Sequence, residues 1–182
     1  MNIYECCFVD YLKYRNLHHY HIEEIEQVFS AEQVSSMKNF DLIVPGDEAN
    51  ILIEIKGRKA NGKNKMRFEN WVTGDDIQSL IHWKERFGES FNSIFCFIYK
   101  IEHDMPPANR DLTAFTFNNL RFGFLGIELE KYIAESKLRS VKWNTFSLSS
   151  KIFSKYAKPI EQFLPASNSE LELRDIEATF RR

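Results

Sequence analysis

Phe40-Asp41-Leu42-Ile43-Val44 and Ile51-Leu52-Ile53-Glu54-Ile55-Lys56-Gly57 are two short apolar runs, separated by Pro45-Gly46-Asp47-Glu48-Ala49-Asn50. Both runs read as β-strands, being rich in residues that fit a pleated, buried surface. The six residues between them form turns readily. Yet the first run carries an acid, and the second an acid and a lysine two residues apart. Charge inside a strand is costly unless it is paired or bound to a metal. A hairpin that reverses between Asp47 and Glu48 places Asp41 opposite Glu54, Leu42 opposite Ile53 and Ile43 opposite Leu52. Opposed side chains share a face, with Cβ atoms about 5 Å apart. Alternation adds Lys56 to the face of Glu54. In that register Asp41, Glu54 and Lys56 converge, while Leu42, Ile53 and Ile55 point the other way. A slip of one residue would break the site.

Two facing carboxylates repel each other, and without a cation one of them has its pKa raised. A bound cation removes that penalty. One or two carboxylates, completed by water and phosphate, suit Mg2+, with Mn2+ as the natural substitute. Lys56 would then steady charge on a phosphate or position the attacking water. The pattern is that of a divalent-metal site for phosphodiester cleavage. The competing reading is an edge hairpin whose charges face solvent and discourage aggregation.

The rest of the chain gives these strands a context. Its 182 residues fit one domain, expected over 1–165, followed by a polar C-terminal tail over 166–182. Tyr4 to Arg15 reads as an amphipathic helix, Tyr20 to Ile25 as a short strand. The acid-free stretch Gly57 to Arg67 reads as a flexible basic loop. Thr73 caps a helix with acids in its first turn, and Gly88 ends it. Strands are expected at Ser93 to Ile101, Leu120 to Ile127 and Trp143 to Leu148. Helices are expected at Leu129 to Ser136 and at Ser150 to Leu164, the latter interrupted at Pro159. Strands mixed with helices imply an α/β fold with a central mixed sheet flanked by helices.

The net charge of -2 provides no global field for nucleic acid, so such contacts must be local. No run is long or apolar enough to span a membrane, and the N-terminus lacks a secretory pattern. Three cysteines without CxxC spacing suit a reducing cytoplasm. His18, His19 and His21 lack the further ligands that zinc requires, and are read as surface or structural. No Gly-x-Ser-x-Gly or P-loop motif is present.

The order helix, acid strand, Glu-x-Lys strand, helix, strand resembles the PD-(D/E)xK nuclease superfamily, over roughly the first hundred residues. The resemblance implies the restriction-endonuclease-like fold and Mg2+-dependent phosphodiester hydrolysis. Phe40 stands where that family usually has proline. The family often adds an acid from the first helix, a place that Glu5 occupies, and some members place a glutamine where Gln78 lies. The chain also resembles the uncharacterised bacterial HYExAFE family. That likeness runs through Ile3-Tyr4-Glu5-Cys6-Cys7-Phe8-Val9, Phe40-Asp41, Glu54-Ile55-Lys56-Gly57-Arg58, Asn70-Trp71-Val72-Thr73, Trp83, Phe87-Gly88 and Lys142-Trp143-Asn144-Thr145.

The expected activity is therefore metal-dependent hydrolysis of nucleic acid, DNA in the first place. Asp41 and Glu54 would hold Mg2+ or Mn2+, Lys56 would be catalytic, and Glu5 would assist. Arg58, Lys59, Lys63, Lys65 and Arg67 would track the backbone of the substrate. Trp71 and Trp83 are read as candidates for stacking on bases, with core packing as the other use of Trp83. A homodimer would serve to cut two strands. The alternative is a nuclease-fold module that binds nucleic acid or protein without turnover. A third reading is a structural subunit that uses a Phe-rich surface around Phe115, Phe117, Phe122 and Phe124.

Overall fold

The computed structural model describes residues 1–22, 38–46, 48–61, 66–102 and 111–166. Lys63, Lys65, the side chain of Lys59 and the tail from 167 onward lie outside the described residues. Helix α1 (Ile3–Tyr14) is followed by β1 (Tyr20–His21), β2 (Leu42–Val44) and β3 (Asn50–Asn61). Then come β4 (Arg67–Phe68), β5 (Val72–Thr73), helix α2 (Gly74–Phe87) and β6 (Phe91–Ile101). β7 (Thr113–Phe117), β8 (Leu120–Glu128), helix α3 (Leu129–Glu135) and β9 (Lys137–Ser140) lead to β10 (Thr145–Ser147). Helix α4 (Ser150–Tyr156), β11 (Lys158–Pro159) and a 3-10 turn (Ile160–Gln162) complete the described order.

The central sheet runs β1-β2-β3-β6-β8-β11, with β4 added to β3 and β7 to β8. It is mixed, because β3 and β6 are parallel and the other pairs are antiparallel. A parallel pair needs a crossover, and α2 supplies it. Both faces of the sheet are covered. On one face Phe95, Phe97 and Tyr99 of β6 pack with Trp83 and Phe87 of α2 and Tyr132 of α3. On the other, Ile94, Cys96 and Ile98 pack with Phe8, Tyr11 and Leu12 of α1. Burial on both faces explains why β6 is an almost continuous apolar run.

The register of β2 on β3 is Leu42 to Ile53, Ile43 to Leu52 and Val44 to Ile51, as the hairpin reading requires. Leu42, Ile53 and Ile55 enter the α1 side of the core, and Ile43 and Leu52 the α2 side. Helix α2 starts at the Thr73 cap, whose hydroxyl accepts from the Asp76 N–H at 3.1 Å. It ends at Gly88, which adopts φ 84°, a conformation that costs glycine little.

Three readings are corrected. The basic stretch after Lys56 is not a loop throughout: β3 continues to Asn61, and β4 pairs back onto it. The ladder of β3 with β6, which runs on to Lys59 opposite Lys100, overrides the polar composition there. The last helix stops at Tyr156, and Lys158–Pro159 instead joins β8 at the sheet edge, where proline's missing N–H is tolerated. The Phe-rich surface is interior: Phe122 and Phe124 are fully buried, and Phe115 and Phe117 pack against the same core. Strands β7 and β9 were not anticipated.

Candidate metal and phosphodiester site

β2 begins at Leu42, whereas β3 runs on beyond its partner. Asp41 sits at the point where the two strands part. Its backbone N–H still donates to the Ile53 carbonyl at 3.1 Å. One step further, its carboxylate takes the place of a missing strand: the Ile55 N–H donates to Asp41 Oδ2 at 2.6 Å. A sheet-edge donor is thereby satisfied by an acid. Burial raises the Asp41 carboxyl, and the charge of Glu54 raises it further. The Ile55 N–H and Lys56 oppose this, Glu5 adds to it, and the result is about 7.

Glu54 is only 3 % exposed and lies on the α2 side of the sheet. Lys56 Nζ donates to Glu54 Oε1 at 2.5 Å and lies 3.0 Å from Asp76 Oδ2. Lys38 Nζ donates to Glu54 Oε1 at 3.1 Å and also to Asp76 Oδ1. The four side chains form a charge-balanced quartet. Asp76 is 2 % exposed and also closes the capping box of α2, accepting from the Thr73 N–H at 2.9 Å. Burial works to raise the Asp76 carboxyl, but Lys56, Lys38 and the Thr73 N–H together hold it at about 2. For Lys38, burial acts downward, yet Glu54 and Asp76 raise it above its ordinary value.

Helix α2 also fixes the backbone that carries Lys38. The Ser79 hydroxyl and the Trp83 indole N–H both donate to the Lys38 carbonyl. Phe40 is buried edge-on to Trp83, with ring centroids 5.6 Å apart, so this position packs the strand onto α2. Trp83 is accordingly a core residue, 1 % exposed.

On the α1 side, Glu5, Val9, His21, Asp41, Leu42 and Ile55, with Met1, line a cavity of about 100 Å³. Glu5 accepts from the Asn2 N–H at 3.0 Å and from the Asn2 side-chain amide, completing the capping box of α1. The cap holds Glu5 beside Asp41 without joining the two. His21, set aside in the sequence reading, reaches this cavity because β1 pairs His21 with Leu42, the neighbour of Asp41. Gly57 lets the helix come close: a Cβ there would meet the Tyr4 ring at 2.2 Å.

The remaining predicted residues are dispersed. Gln78 is exposed on α2. Arg58 turns away onto Trp71, its guanidinium 3.9 Å from the ring centroid and donating to the Gly57 and Trp71 carbonyls. Burial lowers its pKa. Arg67 is exposed on β4. The sequence reading missed Asp76 and Lys38. Asp76 was legible only as a helix cap, and no spacing signal connects Lys38 to Glu54.

Among the described residues, no group of three or more His, Cys, Asp or Glu side chains is arranged for a metal ion. Asp41 lines the cavity on the α1 side and Glu54 is held by Lys38 and Lys56 on the α2 side, with the Ile55 backbone between them. Mg2+ commonly takes one or two carboxylates and keeps several waters, and Asp41, open to that cavity, suits it as one such ligand. Burial is the main reason Asp41 is a weakened acid, and the neighbouring charge of Glu54 adds to it.

The fold is similar to that of the Archaeoglobus fulgidus Holliday junction resolvase Hjc, with a TM-score of 0.50 and 10% sequence identity. The match covers 88% of this chain and 95% of that one. At this identity the likeness concerns the fold: a mixed central sheet with flanking helices, of the restriction-endonuclease-like type. No protein-family model matches the chain, and no curated protein matches its sequence. The likeness to the HYExAFE family therefore rests on the residues quoted above alone. No helix among the described residues is long and apolar enough to cross a membrane.

Proposed function

We propose that this protein is a metal-dependent hydrolase of nucleic-acid phosphodiester bonds, with DNA as the first substrate class to test. The observation that supports the reading is the β2–β3 register, with the Asp41 carboxylate capping the Ile55 N–H next to the buried Glu54–Lys56 pair. Mg2+ or Mn2+, held by Asp41 and Glu54, would neutralise phosphate charge and make a water more acidic. Lys56 would leave its ion pair with Glu54 to face the charge that develops on phosphate. Asp76 and Lys38 would hold Lys56 in reach. Glu5 would take up a proton at the α1 side of the site. Arg67, Lys59, Lys63 and Lys65 would attract the backbone, whereas Arg58 is committed to Trp71. A homodimer would suit a two-strand cut.

The test is cleavage of labelled single strands, duplexes and branched junctions in Mg2+ or Mn2+, with Glu54→Gln and Lys56→Met as controls. Loss of cleavage in both variants, with the fold retained, is the expected result. Equal cleavage by Glu54→Gln and wild type would overturn the assignment. A second reading, a binding module without turnover, is favoured by one observation: Lys38 and Lys56 already balance the charges of Glu54 and Asp76. It predicts nucleic-acid binding and no cleavage in either metal.

A further inference from the structure

Away from the carboxylates, β9 and β10 form a hairpin on the second sheet, ordered β5-β10-β9. From Ser136 to Lys151 the chain carries Lys137, Arg139, Lys142 and Lys151 and no acid, against an overall net charge of -2. The same hairpin exposes apolar surface: Leu138 is 52 %, Val141 82 % and Trp143 69 % exposed. Large apolar side chains clustered in solvent mark a surface that meets a partner.

The hairpin is fixed in place. The Gly74 N–H donates to the Asn144 carbonyl at 2.7 Å, and Thr145 pairs with Thr73. Gly74 has no room for a side chain, since a Cβ would meet the Asn144 amide at 2.3 Å. Tyr132 and Asn70 secure the base of the hairpin: Tyr132 donates to the Phe146 carbonyl at 2.9 Å, and Asn70 receives the Leu148 N–H at 2.8 Å. The tip is thus anchored to the first turn of α2, two residues before Asp76 of the quartet.

The chemistry of the tip is specific. Lys142 Nζ lies 5.2 Å from the Trp143 ring centroid. Arg139 lies 5.7 Å from the Trp71 ring, which Arg58 also covers. Cations interleaved with flat aromatic rings match a polyanion that also offers flat rings. Bases stack on exposed aromatics, and lysine and arginine neutralise the phosphates between them.

We propose that this hairpin is the substrate-gripping element, in which Trp143 stacks on an unpaired base while Lys137, Arg139 and Lys142 hold adjacent phosphates. The proposal rests on the nucleic-acid reading above and narrows it to substrates with exposed bases: single strands, overhangs or branch points. A fully paired duplex offers Trp143 only its ends.

The test is fluorescence anisotropy of the full chain with a fluorescein-labelled single strand and with a blunt duplex, in EDTA so that no cleavage intervenes. Trp143→Ala is expected to weaken strand binding by about tenfold and to leave duplex binding unchanged. A Lys137→Ala, Arg139→Ala, Lys142→Ala triple variant is expected to reduce the slope of log affinity against log salt by about 2. Trp143 is largely exposed, so its removal leaves the core intact, and circular dichroism confirms this for both variants. If wild type binds the strand and Trp143→Ala binds it equally well, the hairpin proposal is overturned and the hydrolase reading survives. If wild type binds neither nucleic acid, the hairpin proposal is overturned, and the cleavage assay in Mg2+ or Mn2+ decides the hydrolase reading separately. If Trp143→Ala instead breaks a dimer and strand affinity stays the same, the surface is a self-association face and the proposal is overturned.

Discussion

Asp41 and Asp76 lie on either side of the same Glu54–Lys56 pair, and their surroundings drive them in opposite directions. Asp76 faces two lysines and a helix-capping N–H, and is held at about 2. Asp41 is raised by burial first and by two glutamates after it, against a single backbone N–H and Lys56, and rises to about 7. Buried charge is tolerated in one half of the site by pairing, and in the other half only by protonation or a cation.

The comparison breaks most severely at Asp76. Asp76→Ala strips the quartet of one carboxylate, leaves Lys56 paired with Glu54 alone and deletes a capping box. A loss of about 3–5 kcal/mol is expected in urea unfolding at pH 7. A loss below about 1 kcal/mol would mean that the lysines simply turn to solvent.

The two aspartates also differ in pH dependence. Asp76, depressed below the ordinary carboxylate value, contributes stability above about pH 4 that is lost as pH falls towards 2. Asp41 has the opposite sign. Between about pH 4 and 7 the native state binds its proton more tightly than the unfolded chain, so stability falls as pH rises through that window. The metal-free protein should therefore be most stable near pH 4–5. Asp41→Asn keeps an acceptor for the Ile55 N–H and removes the charge. It should gain roughly 2–4 kcal/mol at pH 8 and flatten the upper limb. Millimolar Mg2+ should flatten the same limb in wild type and do nothing for Asp41→Asn. A limb that survives the substitution would assign the effect to another group.

These pairs show what a sequence discloses. The register of β2 on β3 was legible because apolar alternation and turn residues are local signals, and both faces of the hairpin follow from it. The α2 boundaries were legible for the same reason, from Thr73 to Gly88. Asp76 in the quartet was not, because an acid at the third helical position already has a local explanation as a cap. Lys38 depends on a long-range contact that no spacing encodes. The extension of β3 past Gly57 was hidden too: a polar, glycine-containing stretch takes strand form only because β6 lies alongside.

A smaller effect probes how α1 is set against the site. Gly57→Ala would drive a methyl group into the Tyr4 ring, and overpacking of this kind costs about 1–3 kcal/mol. The loss should show as a lower melting temperature, and Tyr4→Ala in the same chain should recover part of it. If Gly57→Ala melts with wild type, the close approach of α1 to β3 is not a constraint.

Glu5→Gln should be the mildest change and separates two roles of one residue. Glutamine serves a capping box as glutamate does, so α1 should keep its start and stability at pH 5 should change by less than about 0.5 kcal/mol. What the substitution removes is the negative charge beside Asp41. With one of its repelling neighbours gone, Asp41 should titrate at lower pH, and the fall in stability between pH 4 and 7 should shift downward and shrink. The shift can be read directly from the Asp41 side-chain carboxyl by NMR titration. An unmoved titration with an intact cap would make Glu5 a helix-start residue and nothing more. A moved titration would show that α1 contributes charge to the same site that β2 and β3 build, from the opposite face of the sheet.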